Sequence, residues 1–144
     1  NDWWTAEDRD AFKAKTQALA EQFNKVEILP GVMANGELTL GENIADHGGV
    51  SVAWTAFHNA LGGNVPEPVD GLSADQRFFL GYARVWGQNI TDEEKARLTK
   101  LDVHSLGENR VNVTLRNFDA FFEAFGIHEG DKMWRPVSER VAIW

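Results

Sequence analysis

The stretch LTLGENIADHGG, residues 38–49, places two carboxylates, Glu42 and Asp46, four residues apart at the head of an apolar-patterned segment. Residues four apart share one face of an α-helix, so the spacing predicts a helix carrying both acids on one side. Ile44, Val52, Trp54 and Phe57 continue the pattern to Leu61, and Gly62-Gly63 suits a left-handed C-terminal cap. The predicted helix runs from about residue 39 to residue 61. Two readings of its acids are open. Thr39 followed three residues later by Glu42 matches a capping box, in which the Glu42 carboxylate turns back to the Thr39 N–H. That motif has no need of Asp46, and like charges at i and i+4 repel by roughly a few tenths of a kcal/mol. A positive group beside them would relieve the repulsion. A metal ion or a metal-bound histidine would serve, because a zinc-bound histidine ordinarily gives its second ring N–H to a carboxylate.

Around this helix the chain reads as one mainly α domain with a single small strand pair. Thr5, followed by Glu7 and Asp8, opens a first helix whose apolar residues Phe12, Leu19 and Phe23 recur at near-helical spacing, to about Asn24. Residues 26–29 read as a short strand, punctuated by Pro30-Gly31 and Asn35-Gly36. Residues 64–71, with Pro66 and Pro68, form a surface loop. Ser73 with Gln76 opens a third helix to Trp86-Gly87, and Thr91 with Glu94 opens a short fourth, both in the hydroxyl-x-x-Glu/Gln pattern. The segment after the fourth helix reads as loop. Asn117 then reads as the cap of a last helix, 118–125, stopped by Gly126, and the tail holds a proline-led turn. There are no internal repeats or low-complexity segments.

Composition narrows the function classes. A chain of 144 residues, 43% hydrophobic with six Trp and nine Phe, holds enough apolar material for a core. Its net charge of −8 and the absence of any Lys/Arg-rich run make nucleic acid and anionic membrane surfaces poor partners. With no cysteine, thiolate catalysis and disulfides are excluded, and any metal must be held by His, Asp or Glu. Neither an apolar run of 18 residues nor a basic-then-apolar leader occurs, so no membrane contact is expected of this segment. The chain opens on Asn1 rather than Met, and the expectation is a piece processed or excised from a longer protein.

Two signatures make the reading specific. NGELTLGENIADHGG (residues 35–49) resembles a motif of the neprilysin and endothelin-converting-enzyme family of zinc metallopeptidases, and DVHSLGENRVNVTLRN (residues 102–117) resembles that family's second C-terminal signature. FFLGYARVW (residues 78–86) lies between them in the expected order, and the likeness extends from DWWT at residues 2–5 to the terminal IW. Leu106 stands where the family usually has proline, and Val113 where it usually has glycine. The cysteines of animal members are missing, which points to a bacterial-type member. The resemblance implies the compact helical C-terminal portion, residues 1–144, of a thermolysin-like zincin catalytic domain, in an extracytoplasmic protein. It implies that Glu42 is a zinc ligand and that Asp46 orients a zinc-bound histidine. His104 is implied to stabilise the charge of the tetrahedral intermediate, and Arg110 to hold a carbonyl or carboxylate of the peptide substrate. Val85 and Trp86 are implied to line the apolar pocket for the residue after the scissile bond. Without the resemblance, Val85 and Trp86 read as core, His104 as a loop histidine and Arg110 as a surface cation. His47, His58 and His128 read as structural or solvated.

A zincin needs two histidines at i and i+4 with a glutamate between them, and H-E-x-x-H is absent here. The one His-Glu pair is His128-Glu129, with Lys132 in place of a second histidine. A single carboxylate cannot hold a catalytic zinc, which takes three protein ligands and a water. The chain is therefore expected to depend on an upstream part of the same polypeptide for the other ligands and the base. Alone it should bind no stoichiometric zinc, cleave no peptide and expose apolar surface beside Glu42. The alternative is a helical binding or scaffold domain of peptidase ancestry that has lost its metal.

Overall fold

The computed structural model describes residues 3–143; Asn1, Asp2 and Trp144, which include the outer ends of the DWWT and IW likeness, lie outside the described residues. Within them come α1 (Ala6–Asn24), β1 (Glu27–Leu29), β2 (Val32–Met33), α2 (Leu40–Leu61), α3 (Ala74–Val85), α4 (Asp92–Leu101), α5 (Gly107–Leu115) and α6 (Asp119–Phe125). A 3-10 turn follows at Val137–Glu139, led by Pro136. The chain is thus mainly helical with one antiparallel strand pair.

Local chemistry accounts for most of the starts and stops. The Thr5 hydroxyl accepts the Asp8 N–H at 3.1 Å. Ser73 and Gln76 cap α3 reciprocally, at 3.1 and 3.0 Å. Thr91 accepts the Glu94 N–H at 3.3 Å, while the Glu94 carboxylate turns forward to Arg97. Pro30-Gly31 makes the β1–β2 turn, with Gly31 at φ +76°. A Cβ on Gly36 would lie 2.0 Å from the Ala20 carbonyl oxygen, so only glycine lets the following loop rest on α1. Gly62 and Gly126 close α2 and α6 in the left-handed region.

Three local expectations are corrected. Thr39 precedes α2, but its hydroxyl makes no cap bond; it donates to the Asn35 carbonyl and accepts from the Asn43 amide, both at 2.9 Å. The capping-box reading of Glu42 therefore fails. The segment after α4 is not all loop, since it contains α5. Nor is Asn117 a helix cap. Its Oδ1 accepts from Gln22 and Arg135 at 2.8 Å and from the Val141 N–H at 3.0 Å, and its amide donates to Gln22 at 2.8 Å. This one side chain ties α1 and the C-terminal tail to the end of α5.

Two apolar clusters make the core. Leu19 and Phe23 of α1 pack with Val113, Val141 and Ile143, and Phe79 of α3 packs with Val50, Leu115, Phe121 and Phe122. Each such buried side chain contributes roughly 1.5–3 kcal/mol. Helix α2 spans both clusters: Leu40 and Ile44 rest on the first, while Val50 and Trp54 belong to the second, with Trp54 stacked on Phe79 at 4.9 Å. Helix α5 bridges them too, through Val113 and Leu115. The two helices are fixed against each other from below, and their other faces are left to build a site.

Candidate functional site

Helix α2 is continuous through both acids, and Glu42 and Asp46 meet partners from one later segment, residues 102–110. His104 Nε2 lies 3.3 Å from Glu42 Oε2. One turn along, Arg110 grips Asp46 with a two-pronged ion pair, Nε to Oδ2 at 2.6 Å and Nη2 to Oδ1 at 2.7 Å. The positive group that the stacked acids call for is thus supplied by the chain itself, as Arg110. The pairs differ in setting. Glu42 and His104 side chains are 41% and 47% exposed, Asp46 and Arg110 only 8% and 11%. Bonding to Asp46 is the main reason that the Arg110 guanidinium is held even more firmly protonated than usual.

The turn that carries His104 is fixed at three points. Asp102 Oδ1 accepts both the His104 backbone N–H, at 2.9 Å, and its ring Nδ1, at 2.7 Å. These bonds lower the Asp102 pKa, the backbone one first, and leave Nε2 as the ring nitrogen facing Glu42. Ser105 donates to Asn43 at 2.8 Å, so the neighbours of Glu42 and His104 are bonded beneath them in a buried chain that runs on to Thr39. Gly107 opens α5 against the end of α3, where a Cβ would come within 2.3 Å of the Trp86 carbonyl oxygen. Leu106, in the place where the resemblance expects proline, has φ −57°, the value a proline ring imposes.

Val85 and Trp86 part company. Val85, 71% exposed, borders a hollow of about 300 Å³ between α2 and α3 that also touches Asp46, Gly49, Phe78 and Tyr82. Trp86 lines a separate cavity of about 160 Å³ with Asp102, His104, Ser105 and Arg110, and its ring lies 3.6 Å beneath the Arg110 guanidinium. The Tyr82 hydroxyl donates to the Arg110 carbonyl at 3.0 Å, and burial first, then the Asp46 charge, pushes its pKa up. A larger hollow of about 490 Å³, bordered by Trp3, Trp4 and Phe12, shares no residue with this group. Leu101 and Val103, both exposed, flank Asp102 in sequence. His47 is buried against Phe118 at 4.7 Å, on the core side of α2; His58 pairs with Asp75 and His128 with Asp131, both away from Glu42.

Reading from sequence missed Asp102, Asn43, Ser105 and Tyr82. The Asp-x-His spacing was a usable signal for Asp102, because an aspartate readily accepts the N–H two residues on. The others depend on tertiary placement. Among the described residues no three of His, Asp and Glu are grouped so that they could hold a metal ion. A half-exposed carboxylate fits one ligand position, not a complete set.

The model of Peptidase family M13 matches residues 1–141. A neutral endopeptidase of Lactococcus lactis is 37% identical over the whole chain, which spans 21% of that protein. Human endothelin-converting enzyme 1 is 37% identical over 99% of the chain, which spans 18% of it. The crystal structure of Mycobacterium tuberculosis zinc metalloprotease Zmp1 with an inhibitor superposes on all of the chain with a TM-score of 0.95 at 38% identity, the chain covering 23% of it. The chain thus spans about a fifth of the length of the relatives it matches. A family match that runs through both signatures leads to one conclusion: the chain belongs to peptidase family M13.

Proposed function

We propose that the chain is the C-terminal part of a zinc-dependent endopeptidase and that the face shared by α2 and residues 102–110 is one wall of its peptide-hydrolysing site. The observation that carries this is the placement of an open carboxylate, Glu42, beside His104, one helical turn from a locked Asp46–Arg110 pair. A bound zinc would polarise the substrate carbonyl and bring the pKa of a ligated water near 7. Glu42 gives one carboxylate oxygen to that ion. Asp46 spends two acceptor sites on Arg110 and keeps others for the ring N–H of a histidine ligand. With Nδ1–H given to Asp102, His104 in its protonated form would give its second N–H, on Nε2, to the oxygen on which charge develops. Arg110 has Nη1 left for a substrate backbone oxygen, and Trp86, in the cavity it shares with Arg110 and His104, receives the side chain after the scissile bond, with Val85 bordering the neighbouring hollow.

The remaining ligands and the general base come from an upstream part of the same polypeptide, so the isolated chain neither holds stoichiometric zinc nor cleaves oligopeptides. An extracytoplasmic location accompanies this reading; among the described residues no helix is long and apolar enough to cross a membrane. The test is zinc analysis with an oligopeptide-cleavage assay, on the chain alone and on the full-length parent. Chelator-sensitive cleavage by the parent alone is the expected result. Cleavage by the isolated chain, or a parent that is inactive and zinc-free, would sink the proposal.

A further inference from the structure

Arg110 is held from three sides, by Asp46, Trp86 and Tyr82. Its two bonds to Asp46, from Nε and Nη2, form a fork that leaves the guanidinium plane free to rock about the line of the fork. The direction of the remaining nitrogen, Nη1, depends on that tilt. The Trp86 ring lies 3.6 Å below the guanidinium carbon and blocks rocking on its side. Trp86 is suited to this because its indole N–H, although buried, makes no full hydrogen bond, even to the nearby Tyr82 hydroxyl. The ring is placed by its face rather than by its polar tip. Four residues earlier, Tyr82 bonds the Arg110 carbonyl at 3.0 Å and fixes the backbone from which the side chain springs. The glycine at position 107 admits the close approach of α5 to α3 that makes both contacts possible.

We propose that Tyr82 and Trp86 are positioning residues, which act on substrate through Arg110 by setting the tilt and the backbone position of its guanidinium. This rests on the substrate-binding role given to Arg110 above, and it assigns Trp86 a second task besides that of pocket wall. A wall acts on one substrate side chain, so its effect depends on the residue after the scissile bond. A platform beneath Arg110 affects every peptide alike.

The experiment is a double-mutant cycle in the full-length parent, read as kcat and KM on two peptides that differ only in the residue after the cleaved bond. Trp86→Leu should raise KM about tenfold for both peptides, with kcat within about twofold, and Trp86→Phe, which keeps a π face, should recover most of the loss. Tyr82→Phe should raise KM about threefold, as expected for one hydrogen bond. In an Arg110→Ala background Tyr82→Phe should add no further effect, and Trp86→Leu should lose the part of its effect that is common to both peptides, because no guanidinium remains to be placed. Should Trp86→Leu fail to fold, Tyr82→Phe and Trp86→Phe carry the same cycle. Undiminished losses in the Arg110→Ala background, or a Trp86→Leu effect confined to one peptide, overturn the proposal and leave the role of Arg110 standing. An unchanged KM in Arg110→Ala itself overturns both.

Discussion

The Glu42–His104 and Asp46–Arg110 pairs sit one turn apart on the same helix and draw on the same later segment, yet they are built oppositely. The inner pair is nearly enclosed, doubly bonded and backed by an indole. The outer pair is half exposed and joined by one 3.3 Å contact. An exposed ion pair is worth roughly 0–1 kcal/mol, whereas removal of one partner from a buried pair costs about 3–5 kcal/mol. The inner pair therefore behaves as framework. The outer one is weak enough that a stronger ligand, or a substrate, can take its place.

The largest expected effect tests the framework half. Asp46→Ala should lower the unfolding free energy of the chain by about 3 kcal/mol or more, measured by denaturant titration, because Arg110 is left buried without a counter-charge. A loss under about 1 kcal/mol would erase the contrast between the pairs. Glu42→Gln should do the reverse. Stability should stay within about 0.5 kcal/mol, while zinc occupancy and kcat/KM of the full-length parent should fall by more than the roughly 100-fold typical of losing a metal's outer partner. His104→Ala comes next, with kcat of the parent down about 100-fold and little change in KM, as for loss of an oxyanion donor.

The smallest effect belongs to a third position on the same helix. His47, next to Asp46, points into the core, and burial holds its pKa below the usual 6.5. The unfolded chain then binds a proton that the folded chain refuses, so this contribution to stability is full above about pH 6.5 and drains away as pH falls toward the depressed folded value. Between pH 7 and pH 5 the stability of His47→Gln should fall less steeply than that of the parent chain. Equal slopes would mean that the inner face of α2 has no share in its acid sensitivity.

Much of this architecture was legible because local chemistry and tertiary demand agree. Thr5, Ser73 and Thr91 stand where helices need a hydroxyl, and Gly62 and Gly126 where they need a left-handed residue. Helix α5 was missed because GENRVNVTL opens on glycine, carries two asparagines and three β-branched residues, and has Leu106 in the cap position with no side-chain cap. Burial of Val113, Thr114 and Leu115 makes it helical. Asn117 looked like a cap because nothing in its neighbours discloses that Gln22, Arg135 and Val141 converge on it. In the site, helical spacing put Glu42 and Asp46 on one face and their repulsion called for cations. That Arg110 answers Asp46 and His104 lies beside Glu42, 64 and 62 residues further on, follows from no local rule, and the motif likeness gave those two residues other tasks.

The Asn117 junction also bears on the order in which the molecule can assemble. Phe23 and Leu19 find their buried partners in Val141 and Ile143, and Gln22 meets the Glu139 carbonyl 117 residues later. Such distant closures are slow, since loop entropy must be overcome before any contact rewards it. During synthesis α1 emerges well before these partners, and its apolar stripe is not fully covered until the chain has been made out to Ile143. The aromatic cluster around Phe79 and Phe121 closes a shorter span, so it can gather earlier. The half of the core beneath Ile44 is then the last to set, and the two signatures reach their final register only when the tail has docked.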